Sequence, residues 1–298
     1  MNKNFEGIYS AIFSVYDENL NVINKSVAEL VDYQLSCKLK GFYVCGNTGE
    51  CSVLPVKTRI QMLDAVIDAN AGKGQIMAHI GAGHLDDVKA LVNDCNNKKI
   101  DAVSSLPPNL SKYYNSNEVI DYYKWLASES KYPLYAYITP AVDDGNVFAF
   151  AEKLSKIDNV EGIKLTIPNY YIFEKMVRGL GDKLCILNGP DECLMCGLTC
   201  GADGAIGTTY NFLGKTAVAL YENFKNNNTN EVRKCQNQIN KVIDVAFKNG
   251  YNMADWKAIM TCMGFDMGYT VFPRTNPDTE RIEKIRNDLK TTDFFDII

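Results

Sequence analysis

The chain has 298 residues, 46% of them hydrophobic and 22% charged, with a formal net charge of −5. That length suits one α/β barrel of about 250 residues with a small appendage, or two compact domains of roughly 150 residues each. The acidic balance, without a basic stripe, argues against nucleic acid as a partner, and the lack of any run of about 18 apolar residues argues against a membrane span.

The first twenty residues are broken by polar and charged positions and hold no secretory core, so a cytoplasmic protein is expected. Ten cysteines (37, 45, 51, 95, 185, 193, 196, 200, 235 and 262) are diluted along the chain and read as reduced, mostly buried thiols.

Eight short runs of β character occur at 8–15, 41–45, 75–80, 102–105, 134–138, 162–165, 184–187 and 204–207. Most are nearly continuous apolar segments, as parallel strands covered on both faces should be. Segments with helical spacing lie between them at 27–39, 57–69, 86–95, 116–128, 147–157 and 193–200. In the first, Val27, Leu30, Val31, Tyr33 and Leu35 form an apolar stripe and Ser26 stands as a candidate N-cap. Beyond residue 210 the strand signals stop, and 211–224, 230–247, 253–263 and 277–289 read as helices. Eightfold alternation predicts a (β/α)₈ TIM barrel over 1–225, with a C-terminal helical extension at 226–298 packed on it. A doubly wound open sheet competes, but no Gly-x-Gly-x-x-Gly follows the first strand.

Barrel enzymes place their chemistry at the C-terminal ends of the strands. The second strand ends in Gly46-Asn47-Thr48-Gly49-Glu50, a turn suited to binding carboxylate or phosphate oxygens, and equally readable as an ordinary strand-to-helix turn. The fifth ends in Tyr137-Ile138-Thr139-Pro140, where Tyr137 is either a proton shuttle or a packing aromatic. The sixth carries Lys164 between Ile163 and Leu165. An amine there is costly to bury. It either ionises less readily and serves as a Schiff-base nucleophile, or snorkels into water. Strand seven leads to Gly189-Pro190-Asp191-Glu192, carboxylates that bind hydroxyl groups or cap the next helix. Strand eight leads to Gly207-Thr208-Thr209, rich in hydroxyls and backbone donors.

These motifs resemble those of the N-acetylneuraminate lyase and dihydrodipicolinate synthase family of class I aldolases. Four segments carry the likeness: Gly-x-Thr-Gly-Glu at 46–50, Tyr-x-x-Pro at 137–140, Gly-x-Lys at 162–164 and Gly-Ala-Asp-Gly-Ala-Ile-Gly at 201–207. The resemblance implies that Lys164 forms a Schiff base with a keto acid, that Tyr137 moves protons, and that Asn47, Thr48 and Gly49 hold the pyruvate carboxylate. Thr166, Gly189, Asp191, Glu192, Gly207 and Thr208 would meet the polyhydroxylated tail of a sugar acid, as in the sialate-lyase branch. It further implies a homotetramer built as a dimer of dimers, sialic acid and pyruvate as small-molecule ligands, and no metal or cofactor beyond the covalent Schiff base. The synthase branch has an arginine where Val142 stands here. Asn47 and Thr208 replace the more usual serines, and the run 107–114 leaves open which of Tyr113 and Tyr114, if either, matches the family's subunit-bridging tyrosine.

Two rival readings stay on the table: another keto-acid aldolase of the same fold, or a non-catalytic barrel that senses a keto acid or sugar acid. The Cys193-x-x-Cys196 pair with Cys200 reads as helix packing rather than a metal or redox centre. His84 is placed in the loop after strand three, and Trp125 and Trp256 on helices.

Overall fold

The structure is a computed structural model that describes residues 5–108, 114–139 and 146–298. Eight strands form one closed parallel barrel in sequence order, and helices alternate with them. The strands are β1 (Gly7–Ala11), β2 (Gly41–Val44), β3 (Gln75–His79), β4 (Ala102–Ser105), β5 (Leu134–Ile138), β6 (Val160–Leu165), β7 (Cys185–Asn188) and β8 (Gly204–Gly207). Helices α1 (Asn24–Ser36), α2 (Val56–Asn70), α3 (Leu85–Cys95), α4 (Ser116–Glu129), α5 (Val147–Leu154), α6 (Tyr170–Leu180), α7 (Leu194–Thr199) and α8 (Tyr210–Lys225) follow successive strands. Four more close the chain: α9 (Thr229–Lys248), α10 (Met253–Cys262), α11 (Thr279–Leu289) and α12 (Phe294–Ile297). Among the described residues no helix is long and apolar enough to cross a membrane.

Contacts along the chain group into two units. One joins Gln75–Ile206 to the segment ending at Gly7, and the other joins Ile8–Gly74 to Gly207–Ile298. In the first, Ala136, Ile138, Ile163, Leu165 and Leu187 have no exposed surface, so parallel strands supply a dry frame. In the second, Val27, Leu30 and Val31 of α1 are fully buried, and Phe212 of α8 stacks on Trp256 of α10 at 6.0 Å between ring centroids.

Several sequence expectations are corrected. Strand one pairs only over Gly7–Ala11, not to residue 15. Its apolar continuation leaves the ladder, and the backbone there finds other partners: Phe13 N–H donates to Asn211 Oδ1 at 3.2 Å, and Ile23 N–H to Val15 O at 3.1 Å. Helix α1 starts at Asn24, so Ser26 lies inside its first turn and caps nothing. Its buried stripe takes in Gln34, whereas Tyr33 and Leu35 are only half buried. Helix α6 was not anticipated. It is capped by Asn169, whose side chain accepts from Ile172 N–H at 3.2 Å, and buries Phe173, Met176 and Leu180. His84 caps α3, its Nδ1 accepting from Asp86 N–H at 3.3 Å. Trp125 packs on Tyr122 within α4, with centroids 6.0 Å apart.

All ten cysteines are free. Seven are buried, and Cys193, Cys196 and Cys200 are half buried. Burial pushes the Cys45 thiol up to about 11, which keeps it protonated at neutral pH.

Candidate active site

In the first unit, β5 and β6 pair with Tyr135 opposite Gly162 and Tyr137 opposite Lys164. Residues two apart on a strand share a face, so these four make two stacked layers. Gly162 is required by the lower layer: a β-carbon there would run into the Tyr135 ring. Tyr135 packs edge-on against Phe5 at 5.1 Å, which makes it the packing aromatic of the pair. In the upper layer, Lys164 Nζ lies 4.5 Å from the centroid of the Tyr137 ring. Both side chains are 5% exposed, so Lys164 does not snorkel into bulk water. An amine over an aromatic face gains a cation–π attraction when charged. The same placement puts a phenol beside the nitrogen.

Just past β6, Thr166 N–H donates to Ile138 O at 2.9 Å. Its buried Oγ1 has no hydrogen-bond partner among the described residues and lies where a β-carbon on Gly189 would stand. An orphaned buried hydroxyl is costly unless a ligand satisfies it. At the end of β7, Asn188 is fully buried. Its Nδ2 donates to Pro190 O at 2.8 Å, and its Oδ1 accepts from Tyr170 O–H at 2.9 Å. These bonds fix the turn that delivers Asp191, which is buried, and Glu192, which is exposed. Cys193 ends the 3₁₀ turn that starts at Asp191. Burial first, then Cys196 and Glu192, hold its thiol above the usual range. Among the described residues no group of three or more His, Cys, Asp or Glu is placed to hold a metal ion.

In the second unit, the loop after β2 is bracketed by two non-glycine residues with left-handed backbone, Cys45 at φ 56° and Glu50 at φ 59°. Such residues need surroundings that hold them there. Glu50 N–H donates to Asn47 O at 3.0 Å, Cys51 N–H to Gly46 O at 3.1 Å, and Ser14 Oγ to Gly49 O at 2.8 Å. Thr48 is buried, and its hydroxyl meets that of Thr208 at 2.7 Å. Asn47 is exposed, and its Oδ1 accepts from the Cys51 thiol at 3.5 Å. Thr208 follows Gly207 at the end of β8. A buried polar chain secures it: Ser10 Oγ donates to Gln34 Oε1 at 2.5 Å, Gln34 Nε2 to Asn211 Oδ1 at 2.8 Å, and Asn211 Nδ2 to Thr208 O at 2.8 Å.

Sequence reasoning missed the group around Glu50. Its Oε2 accepts from Tyr16 O–H at 2.7 Å and lies 3.7 Å from Lys257 Nζ, and its Oε1 accepts from Arg274 Nη1 at 3.2 Å. Lys257 Nζ also donates to Tyr269 O at 2.7 Å. Nothing in the spacing of residues 16, 50, 257 and 274 announces their meeting; the one local hint was a glutamate closing a glycine-rich turn.

Each candidate residue thus stands at or just past the C-terminal end of its strand. Lys164, Tyr137, Thr166, Gly189, Asp191 and Glu192 belong to the first unit, and Asn47, Thr48, Gly49, Gly207 and Thr208 to the second. Tyr114 is 44% exposed, whereas Tyr113, Pro140 and Val142 lie outside the described residues.

The sequence model of the dihydrodipicolinate synthetase family matches residues 4–292. An N-acetylneuraminate lyase of Rhizobium meliloti (strain 1021) is 33% identical over 88% of this chain and 87% of its own. An N-acetylneuraminate lyase of Clostridium perfringens (strain SM101 / Type A) is 29% identical over 94% of this chain and 97% of its own. The crystal structure of N-acetylneuraminate lyase from Mycoplasma synoviae, crystal form II, aligns with a TM-score of 0.89 at 29% identity, covering 99% of this chain and 100% of that one.

Proposed function

From the premise that this chain belongs to the dihydrodipicolinate synthetase family, we propose that it is a Schiff-base aldolase that reversibly cleaves N-acetylneuraminate to N-acetylmannosamine and pyruvate. The reaction makes it a carbon–carbon lyase. One observation carries the reading: a buried lysine at the C-terminal end of its barrel strand, with its amine 4.5 Å over the face of a buried tyrosine. A pure binder or a structural barrel has no use for that pair. The substrate is brought over from relatives that share 29% and 33% identity with the chain and are named N-acetylneuraminate lyases.

In this reading the open-chain sugar presents its C2 ketone to the neutral Lys164 amine. Nitrogen adds to the carbonyl, water leaves, and a protonated imine remains. The C3–C4 bond then breaks, its electrons flowing into the imine to give an enamine, while the C4 hydroxyl loses its proton and becomes the aldehyde of N-acetylmannosamine. Tyr137 takes that proton, directly or through the substrate carboxylate. A proton returned to C3 and hydrolysis of the imine release pyruvate and restore Lys164. The imine is the electron sink, so no step calls for a metal ion.

The remaining residues bind. Thr48 and Gly49, with Asn47, take the carboxylate through backbone N–H groups and side-chain donors. The orphaned Thr166 hydroxyl, with Gly189, Asp191, Glu192, Gly207 and Thr208, meets the hydroxyls of the sugar tail. The same reading places the enzyme in the cytoplasm as a homotetramer, a dimer of dimers.

The deciding experiment couples pyruvate release from N-acetylneuraminate to lactate dehydrogenase, with Lys164→Ala alongside. Pyruvate from the parent and none from the folded variant is the expected result. A folded parent that releases none, or a variant that retains activity, overturns the assignment.

A further inference from the structure

The cluster around Glu50 has no part in the steps above, yet its glutamate and lysine are both buried. The Glu50 and Lys257 side chains are 1% and 3% exposed, and Arg274 is 39% exposed. Two cations face one carboxylate, so the cluster carries one positive charge in excess directly behind the turn that ends in Glu50. Lys257 is firmly seated. Helix α10, which carries it, has a capping box in which Asn252 and Asp255 satisfy each other's backbone N–H groups. Asp255 in turn takes two hydrogen bonds of 2.9 Å from Arg281 of α11. The Lys257 amine sits 4.5 Å over the Tyr16 ring, and the irregular stretch that leads to Arg274 is tied to Tyr16 by the Tyr269 N–H to Tyr16 O bond of 2.8 Å.

On the aldolase reading given above, we infer that Lys257 and Arg274 are positioning residues for the reaction: acting through Glu50, they hold the 46–50 turn in the shape that receives the substrate carboxylate and keep the ground behind it positive. The left-handed backbone at Glu50 supplies the physical reason. A turn with a non-glycine residue at φ 59° does not keep that shape unaided, and a bare glutamate behind it would repel the incoming carboxylate. Tyr16, Lys257 and Arg274 satisfy Glu50 from three separate segments, so its carboxylate has one position open to it. The excess charge then favours an anion at the mouth of the turn. The C-terminal helices thereby reach the substrate without touching it.

The test is pyruvate capture. Borohydride reduces the imine between pyruvate and Lys164, and covalent incorporation is followed by mass as a function of pyruvate concentration. The half-saturating concentration is expected to rise about tenfold in Lys257→Met, a loss equivalent to about 1.4 kcal/mol of binding. A smaller rise of about threefold is expected in Arg274→Gln, with Arg274→Lys returning toward the parent. The limiting extent of incorporation stays at the parent's level, because Lys164 and Tyr137 are untouched. Should Lys257→Met fail to fold, the half-exposed Arg274 variants decide the matter. Folded variants that keep the parent's half-saturating concentration, or that lose limiting incorporation instead, overturn the inference. A parent that captures no pyruvate overturns the aldolase reading itself, and this inference with it.

Discussion

Lys164 and Glu50 are both ionisable residues buried at or beyond the ends of barrel strands, 5% and 3% exposed as whole residues, and the fold keeps them in opposite ways. Lys164 is held by regular structure. Its strand pairs with the strands before and after it in sequence, and the register alone brings Tyr137 to its side. Glu50 is held by irregular structure: a left-handed residue in a turn, fastened by side chains from distant segments, one of them 224 residues away along the chain. The first arrangement makes a nucleophile whose environment is set once neighbouring strands pair. The second makes a loop whose shape depends on the chain's last third.

Substitutions can separate the two arrangements. The largest effect is expected from Tyr137→Phe, which removes one oxygen from the regular region and leaves its packing alone. Turnover should fall about 10²–10⁴-fold, with the melting temperature nearly unchanged; a variant within a few-fold of the parent would relieve Tyr137 of proton transfer. Next comes Lys257→Met in the irregular region. Removing one partner of a buried ion pair typically costs about 3–5 kcal/mol, and urea unfolding should report most of it, moderated by Arg274 and Tyr16.

The pH dependence of that difference sharpens the contrast. Burial pushes Lys257 down to about 8 from its ordinary 10.5, with Glu50 opposing the shift. Between those values the unfolded chain holds a proton that the folded chain lacks, so this residue's contribution to stability rises with pH. It is fully present above the unfolded pKa and lost as pH falls through about 8. Comparing parent with Lys257→Met at pH 7.5 and pH 10 isolates it, and a parent advantage that grows by up to about 3 kcal/mol is expected. A flat difference would mean that Lys257 titrates normally. The smallest effect is expected back in the regular region. Gly162→Ala would push a β-carbon into the Tyr135 ring, an overpacking cost of about 1–3 kcal/mol. A melting temperature equal to the parent's would mean that both the ring and the Cys185 carbonyl beside it have room to move.

What could be read in the sequence follows the same divide. The eight strands, the lysine among apolar neighbours and the glycine two places before it are local patterns, and all are found close to where they were read, except that the first strand stops at Ala11 and not at residue 15. Helix α6 escaped because its first turn, Tyr170-Tyr171-Ile172-Phe173, is made of residues that favour strands, and its stripe emerges only with Met176 and Leu180. Gln34 escaped because a glutamine on an apolar stripe looks like a fault in the pattern until Ser10 and Asn211 arrive to meet it. Lys257 reads in isolation as an ordinary surface lysine of a helix. Its burial depends on Tyr16, Glu50 and Tyr269, which no window of sequence contains.

The Thr48–Thr208 contact has a consequence of its own. Two hydroxyls 2.7 Å apart share one hydrogen between their oxygens, so the second hydrogen must point away from the pair. If Thr48 directs its hydrogen to an outside acceptor, Thr208 must turn its own toward Thr48, leaving only lone pairs to offer beyond. If Thr208 points outward, the roles exchange. The pair behaves as a two-position toggle, and whatever occupies one side dictates whether the other gives or receives a hydrogen bond.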